Sequence, residues 1–153
     1  EAQINKILEL GVKLEFINSH QHLHLLPGIM DMIVSLARKY NIGYIRIVNE
    51  PFGFGTNLFR RFQFVFLNFL SWMAKQKIKR AGLKFNDFFV GFINAGNLSV
   101  IDLESVQKLK NLHAEKIVEL GCHPGFESQK LIEKYGHWRY NWKKEIEILQ
   151  NNE

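Results

Sequence analysis

Four short apolar runs, separated by longer segments with helical spacing, constrain the fold of this 153-residue chain more than any other feature. Each run is short enough for a buried strand and is rich in β-branched or aromatic residues. The runs read KLEFIN, YIRIV, FFVGFI and KIVEL. Segments with helical spacing precede the first run, separate successive runs and follow the last one. This alternation of helices and strands predicts a parallel sheet with crossover helices, which is an α/β fold.

The helices can be placed by their apolar spacing and by their end signals. The segment PGIMDMIVSLARKY carries Pro27 near its start, where proline is favoured in a helix. Residues 57–82 predict one long helix, with Gly82 as its C-cap. Two further helices are predicted over SVIDLESVQKLKNL and YNWKKEIEILQNN. We find no linker, low-complexity tract or repeat of fixed period, so we expect a single domain over residues 1–153.

Composition and charge narrow the class of protein. An apolar fraction of 46% with 23% charged residues is typical of a globular protein and not of a disordered one. The formal net charge of +5 is a weak indication of an anionic partner. No basic cluster is interleaved with an aromatic platform, so we expect no nucleic-acid partner. The single cysteine, Cys122, excludes an internal disulfide and fits a reducing, cytoplasmic location.

Half of the six histidines occur in one pentapeptide, within the segment NSHQHLHLLPG. In an extended segment His20, His22 and His24 would share one face, and imidazole is both a common metal ligand and a proton-transfer group near neutral pH. Neighbours two apart cannot all reach one ion, so we expect one or two of them to bind a metal while the rest support them. The alternative is that all three are hydrogen-bonded structural histidines beside a turn.

A further histidine, His123, lies in the segment ELGCHPGF. Both histidine segments directly follow predicted strands, and parallel α/β folds place functional residues at the carboxyl ends of strands. His123 is interpreted either as a general acid or base, or as part of a turn that Pro and Gly create after the strand. The neighbouring Cys122 is expected to be a buried, inert thiol and not a nucleophile.

Three segments in order, INSHQHLHLLPGI, YIRIVNEP and VELGCHPGF, resemble the later motifs of the YdjC-like carbohydrate deacetylases. This family includes chitooligosaccharide deacetylases and the deacetylases of hopanoid biosynthesis, and NSHQHLH followed by R-x-x-x-E-P is most similar to the hopanoid-associated branch. The resemblance implies a modified, TIM-like (β/α) barrel that binds one divalent ion. It also implies removal of an acetyl group from an N-acetylated sugar, such as a chitooligosaccharide or a hopanoid glycoside.

The resemblance implies roles for individual residues. His20 matches the first histidine of the family's Ser-His-x-His segment and is expected to be a metal ligand. His123 matches the histidine of the Cys-His-Pro motif and is an expected catalytic residue. Arg46, on the strand that follows the histidine cluster, is expected to orient a carboxylate or the substrate. The implied cofactor is a divalent metal ion, Mg²⁺ or Zn²⁺, and the implied partner is an N-acetylated carbohydrate.

The resemblance covers the later part of the family only. The family's metal site takes two further ligands, an aspartate and another histidine, from segments that this chain is expected to lack, and a complete (β/α) barrel needs roughly 250 residues. We therefore expect a truncated chain, the C-terminal portion of a deacetylase barrel, which binds metal weakly and is inactive alone. Two other interpretations remain open. One is a sugar-binding remnant that stacks Trp138, Tyr140 and Trp142 on sugar rings, and the other is a fragment of a decayed gene.

The phenylalanine-rich segment from Phe59 to Arg80 has two interpretations. Apolar residues recur there at helical spacing and basic residues follow them, while polar residues such as Arg60 and Asn68 exclude a transmembrane span. The first interpretation is a long barrel helix with one buried face. The second is an interfacial helix that lies on an anionic membrane surface. A homodimer is a further expected assembly, because an incomplete barrel would leave apolar surface to cover.

Overall fold

The computed structural model describes residues 1–51 and 58–151. Helices and short strands alternate along these residues in the predicted order. The helices are α1 (Ala2–Glu9), α2 (Pro27–Lys39), α3 (Leu58–Arg80), α4 (Val100–Leu112), α5 (Gln129–Tyr135) and α6 (Trp142–Gln150). The strands are β1 (Phe16–Ile17), β2 (Tyr44–Ile45), β3 (Phe88–Val90) and β4 (Val118–Leu120). Two 3₁₀ helices, His20–Leu25 and Gly136–Trp138, follow β1 and α5.

The strand pairs of the described residues are parallel, as the alternation predicts. β1 pairs with β2, and β3 pairs with β4. Each strand is two or three residues long and lies within one of the predicted apolar runs. The α/β class with parallel strands and crossover helices is therefore confirmed, in the form of two short strand pairs.

The chain forms two compact units, one of Glu1–Asn49 and Val65–Asp87, the other of Glu50–Phe64 and Phe88–Glu153. In the first unit, the segment after β2 runs through the core, where Ile47 and Val48 are fully buried. The side-chain amide of Asn86 acts as a strand partner for Ile47, accepting from its N–H at 2.8 Å and donating to its carbonyl at 2.7 Å. Ser71 Oγ accepts from the Val48 N–H at 2.9 Å and ties α3 to the same segment. These buried backbone groups are therefore satisfied by side chains and not by a neighbouring strand.

The end of α3 confirms the predicted glycine signal. Gly82 has φ +72°, a left-handed conformation in which glycine carries no steric cost. The Leu83 N–H donates to the Ile78 carbonyl at 3.1 Å, and the Gly82 N–H donates to the Lys79 carbonyl at 3.0 Å. These two bonds form a Schellman motif, which ends the helix at Arg80 and satisfies carbonyls of its last turn.

In the second unit, two glycines allow the ends of β3 and β4 to approach closely. Gly91 has φ +109°, and a Cβ atom at this position would lie 2.3 Å from the Gly121 carbonyl oxygen. The Gly121 N–H donates to the Val90 carbonyl at 2.8 Å. A larger residue at position 91 would force the two strand ends apart. The glycines therefore fix the geometry of the edge from which the His123 segment begins.

The sequence prediction omitted α5 and both 3₁₀ helices. α5 has seven residues, none of them buried, so no apolar face marks it in the sequence. Its start is marked by Ser128, whose Oγ accepts from the Leu131 N–H at 3.2 Å. The predicted first residue of the long helix, Asn57, lies outside the described residues.

Candidate functional site

The first histidine segment forms a tight helical turn after β1, so the expectation of an extended segment is wrong. His20 begins this turn close behind the carboxyl end of β1, and its side chain is exposed. Gln21 and His22 have left-handed backbone conformations, with φ of 52° and 57°. Because the backbone turns at these two residues, the regular alternation of a strand is lost. His20 is consequently exposed while His24 is buried.

His24 is a structural histidine that connects this turn to the residue after β2. Its Nε2–H donates to the Arg46 carbonyl at 2.8 Å, and its Nδ1 accepts from the Ser19 hydroxyl at 2.8 Å. Burial lowers the pKa of His24, because a desolvated imidazole favours its neutral form, although the bond to the Arg46 carbonyl opposes this effect. The neutral ring thus holds the turn that carries His20 against the carboxyl end of β2. Of the interpretations given for the histidine cluster, that of a hydrogen-bonded structural histidine therefore applies to His24.

Arg46 follows β2 directly, and its side chain is half-buried. Its N–H donates to the Ile17 carbonyl at 3.1 Å, which continues the ladder between β1 and β2. Its carbonyl accepts the bond from His24. Because the two strands are parallel, His20 and Arg46 both follow carboxyl strand ends at the same edge of this pair. The structure brings these two predicted residues to one edge of the first unit.

His123 holds the corresponding position in the second unit, three residues after β4, and its side chain is exposed. The backbone N–H of His123 donates to the carboxylate of Glu145 on α6. The same carboxylate accepts from the Leu98 N–H at 3.0 Å. Glu145 is 1% exposed. A buried carboxylate therefore fixes the backbone of the His123 segment to α6 and to the loop before α4, while the imidazole stays accessible.

An aromatic cluster contacts His123. The ring centroids of His123 and Tyr140 are 4.8 Å apart, and the Trp138 and Trp142 rings lie 5.6 Å and 6.3 Å from Tyr140. Gly96 allows Tyr140 to pack against the backbone, since a Cβ atom there would lie 2.0 Å from a ring carbon. Trp138 is 41% exposed. The imidazole of His123 thus belongs to a continuous aromatic cluster with an accessible indole.

Glu50 is a buried carboxyl group in the second unit, with 5% of its surface exposed. It accepts from the Gly91 N–H at 2.8 Å and from the Ile93 N–H at 3.2 Å. Burial raises the pKa of Glu50 to about 7. The backbone hydrogen bonds favour the ionised form and oppose burial only in part, while nearby Asp102 adds to the increase. Glu50 therefore holds the loop after β3 and titrates near neutral pH.

A small cavity lies beside Glu50 in the second unit. Its volume is about 50 Å³, and it is lined by Glu50, Pro51, Val90, Ile93, Asn94, Asp102 and Ser105. This volume admits water but not a sugar ring, because ligand pockets enclose about 300–1,000 Å³. Asp102 accepts from the Ser99 N–H at 2.8 Å and from the Asn94 amide at 3.0 Å, so its carboxylate serves the start of α4. We assign this cavity to the polar interior and not to a substrate site.

A model of the YdjC-like protein family matches this chain over residues 1–153. The chain belongs to the YdjC-like family. The resemblance predicted from the three strand-end motifs is confirmed by this match.

Curated relatives of this YdjC-like chain are named carbohydrate deacetylases. The protein of Xenopus laevis is 25% identical over 147 residues, which cover 83% of this chain and 47% of the relative. The protein of Clostridium beijerinckii is 24% identical over an alignment of 155 positions, which covers 99% of this chain and 51% of the relative. The YdjC-like chain therefore spans about half the length of the curated relatives that it matches.

A solved structure shares the fold of the YdjC-like chain. This crystal structure, described as that of a cellobiose-phosphate cleavage protein from Enterococcus faecalis V583, superposes with a TM-score of 0.63 at 19% identity. The match covers 97% of this chain and 49% of the other one. At this level of identity the similarity concerns the fold alone.

The described residues of the YdjC-like chain do not complete a metal site. Within residues 1–51 and 58–151, no group of three His, Cys, Asp or Glu side chains converges as ligands for one ion. His20 offers one imidazole, whereas Zn²⁺ takes about four ligands and Mg²⁺ about six.

Sequence reasoning missed two residues that organise the strand ends, namely Glu50 and Glu145. For Glu145 a signal was present, because it lies one helical turn from Trp142 and from Ile148 on α6. A charged residue on the apolar face of a helix is costly unless it is hydrogen-bonded, so its presence there indicates a buried partner. Glu50 stands in the motif R-x-x-x-E-P, but the motif gave no indication of its partners.

Proposed function

We propose that this chain is the later half of a metal-dependent carbohydrate deacetylase, which removes acetyl groups from N-acetylated sugars. The observation that supports this proposal is the placement of His20, Arg46 and His123 close behind parallel strands, in a chain whose relatives are named carbohydrate deacetylases. Parallel α/β folds locate their chemistry at these strand ends. The proposed complete architecture is a (β/α) barrel to which this chain contributes the C-terminal portion, since its relatives are about twice as long.

The proposed reaction is the hydrolysis of an acetamide. Water adds to the carbonyl carbon, the C–N bond breaks, and the products are acetate and the sugar amine. The departing nitrogen needs a proton, and the accessible imidazole of His123 is the proposed donor. The bond from the His123 backbone N–H to buried Glu145 holds the backbone segment from which the imidazole projects. Arg46 is the proposed group that orients a carboxylate or the substrate, a role suited to its planar guanidinium.

His20 is the proposed metal ligand of this half, with Mg²⁺ or Zn²⁺ as the expected ion. The turn that carries His20 is held by buried His24, so the ligand does not rest on an unsupported loop. One imidazole is insufficient for tight binding of either ion. We therefore propose that this chain alone binds a divalent ion weakly and is inactive as a deacetylase.

Acetate release from an N-acetylated chitooligosaccharide tests the proposal. The assay compares the product of the complete open reading frame that contains this chain with the 153-residue chain alone. We expect release by the complete product with Mg²⁺ or Zn²⁺ and none by the 153-residue chain. In the complete product, His123→Ala should lower kcat by about 10²- to 10⁴-fold, the range typical of a general acid or base. His20→Ala should raise the metal concentration required for half-maximal activity.

His113→Ala is the matched control for these variants. His113 is also an exposed histidine of the second unit, but its ring stacks on Phe88 at 5.3 Å, at the amino end of β3. This variant should keep full activity, because it lies at the wrong end of the strands for the proposed chemistry. The proposal fails if the folded, complete product releases no acetate, or if both His20→Ala and His123→Ala leave the rate unchanged.

Sugar binding without catalysis is the second candidate, and the aromatic cluster favours it. Accessible aromatic rings such as Trp138 present a large apolar face with a polar edge, which suits the apolar side of a sugar ring. Titration of the 153-residue chain with a chitooligosaccharide, followed by tryptophan fluorescence, tests this candidate. Binding that is lost in Trp138→Ala and kept in Trp72→Ala, without acetate release by the complete product, would favour it over the deacetylase.

A further inference from the structure

An apolar stripe on α3 is exposed in the first unit. The stripe consists of Val65, Phe66, Phe69 and Trp72. Phe69 lies four residues after Val65, three after Phe66 and three before Trp72, so the four side chains share one helical face. These side chains are between 43% and 64% exposed, and the rings of Phe69 and Trp72 are stacked at 6.1 Å. Contiguous exposed apolar surface of this kind marks interaction sites, whereas scattered apolar residues do not.

Core packing does not explain the stripe, because α3 packs on the core with its other side. Ser71, Ala74 and Ile78 are buried in the first unit. Ile78 follows Phe69 by nine residues, about two and a half helical turns, and therefore lies on the opposite side of the helix. α3 thus has one face in the core and a second apolar face directed away from that core.

Positive charge continues the stripe toward the end of α3. The helix contains no acidic residue and six basic ones, which are Arg60, Arg61, Lys75, Lys77, Lys79 and Arg80. Lys79 follows Trp72 by seven residues and Arg80 follows Phe69 by eleven, about two and three helical turns, so both continue the line of the stripe. Lys79 and Arg80 are exposed. An apolar face that leads into cations complements a surface with hydrocarbon beneath negative headgroups.

We propose that the stripe, together with Lys79 and Arg80, binds the surface of an anionic lipid bilayer with α3 lying in the interface. Within the described residues, no helix is long and apolar enough to cross a membrane, so the proposed contact is with one surface. Lys77 already forms an ion pair with Asp31, with 2.5 Å between the nitrogen and the carboxylate oxygen. We therefore assign headgroup binding to Lys79 and Arg80. Because the proposed function makes this chain one half of a longer barrel, the inference requires that the other half leaves the stripe uncovered.

A second copy of the chain fits the stripe less well than a membrane does. A two-fold contact places the same surface of both copies face to face. Because α3 has cations at both ends and no acidic residue, either orientation of two such helices would bring positive charges together. Like charges at short range are destabilising. An anionic surface supplies the opposite charge instead.

Co-sedimentation with vesicles tests the proposal on the product of the complete open reading frame as well as on the 153-residue chain. We expect binding to phosphatidylcholine vesicles that contain phosphatidylglycerol, and at least about ten-fold weaker binding to phosphatidylcholine alone, since the attraction of Lys79 and Arg80 to anionic headgroups is then lost. The double variant Phe69→Ser/Trp72→Ser should weaken binding to the anionic vesicles by at least about ten-fold. Lys79→Gln/Arg80→Gln, which keeps the apolar stripe, should weaken it by a similar factor, and added salt should do the same.

Val100→Ser/Ile101→Ser is the matched control, because it removes an exposed apolar pair from another helix, α4. This variant should bind anionic vesicles as the unmodified chain does. Far-UV circular dichroism of each variant identifies any loss of binding that results from unfolding, and the charge variant tests the proposal without a change in the apolar surface.

Three results would overturn the proposal. The first is no sedimentation of the complete product with phosphatidylglycerol-containing vesicles, whether or not the 153-residue chain binds, and the second is equal binding to neutral and anionic vesicles. The third is a dimer in equilibrium sedimentation that Phe69→Ser/Trp72→Ser converts to a monomer, without vesicle binding. In that third case a second copy occupies the stripe.

Discussion

Protonation of Glu50 should stabilise the folded chain as the pH falls. Burial raises the pKa of Glu50 to about 7, compared with the ordinary value of 4.5. Between these two values the folded chain binds a proton that the unfolded chain does not bind, so the free energy of unfolding decreases as the pH rises. The contribution of this group is complete below about pH 4.5 and is lost above about pH 7. A carboxylate in a salt bridge would give the opposite dependence.

The magnitude of this effect follows from the two pKa values. At 1.36 kcal/mol for each unit, the difference between 4.5 and about 7 corresponds to about 3 kcal/mol. Glu50 is 5% exposed, so water screens little of the cost of its charge. The N–H groups of Gly91 and Ile93 stabilise the ionised form, and about 3 kcal/mol is what remains after this compensation. Such a change is large against a total stability of about 5–15 kcal/mol.

Urea denaturation across this pH range measures the effect. Glu50→Gln keeps the shape of the side chain and one acceptor oxygen but removes the titrating proton. The free energy of unfolding of the unmodified chain, minus that of Glu50→Gln, should fall by about 3 kcal/mol between about pH 4.5 and about pH 7. Glu104→Gln, which removes an exposed carboxylate from α4, controls for the change in net charge. A difference that stays constant, or that increases with pH, would refute the reasoning, since Glu50 would then remain ionised in the folded chain.

Three further predictions concern stability. His24→Ala should lower the free energy of unfolding by about 2–4 kcal/mol, because it removes a buried ring and its hydrogen bonds. In the unmodified chain, the lowered pKa of His24 should make the free energy of unfolding decrease as the pH falls through about 6.5, since the unfolded chain binds the proton first. Thermal melts of both proteins at several pH values check this dependence. Gly91→Ala should lower the free energy of unfolding, measured in urea, by more than about 2 kcal/mol, because the new Cβ atom would clash with the Gly121 carbonyl and alanine would be strained at this positive φ. An unchanged free energy of unfolding would contradict the described backbone conformation. Glu145→Gln should cost about 1–3 kcal/mol, because an amide nitrogen cannot accept from an N–H, and unchanged amide exchange at His123 would argue against the bond.

The order of helices and strands was predictable because the spacing of apolar residues indicates which positions are buried. The segment PGIMDMIVSLARKY matches α2 except for its last residue, and the apolar run YIRIV contains β2. The strands are nevertheless shorter than the runs. Ile47 and Val48 are as buried as strand residues, but their backbone groups bond to the side chains of Asn86 and Ser71. Sequence pattern reports burial and does not distinguish a strand partner from a side-chain partner.

The candidate site was predictable in part. The strand-end positions of His20, Arg46 and His123 follow from the alternation of elements and from the family motifs. The separation of His20 from His24 does not, because the left-handed backbone at Gln21 carries no sequence signal such as glycine. The hydrogen-bond partners of the buried carboxylates also lie far from them in the sequence.

Glu50 and Glu145 illustrate this last difficulty. Glu50 bonds to the Gly91 N–H, which is 41 residues away, and Glu145 bonds to the Leu98 N–H, which is 47 residues away. Every residue except proline offers a backbone N–H, so the sequence does not mark these partners. Only the folded chain identifies them.

Acetate release by the complete open-reading-frame product, with and without His123→Ala, is the measurement that tests the central claim most directly. The account predicts release of acetate from an N-acetylated chitooligosaccharide and its reduction by about 10²- to 10⁴-fold in His123→Ala, while His113→Ala remains fully active. Equal rates in the unmodified protein and in His123→Ala, with both proteins folded, would contradict it.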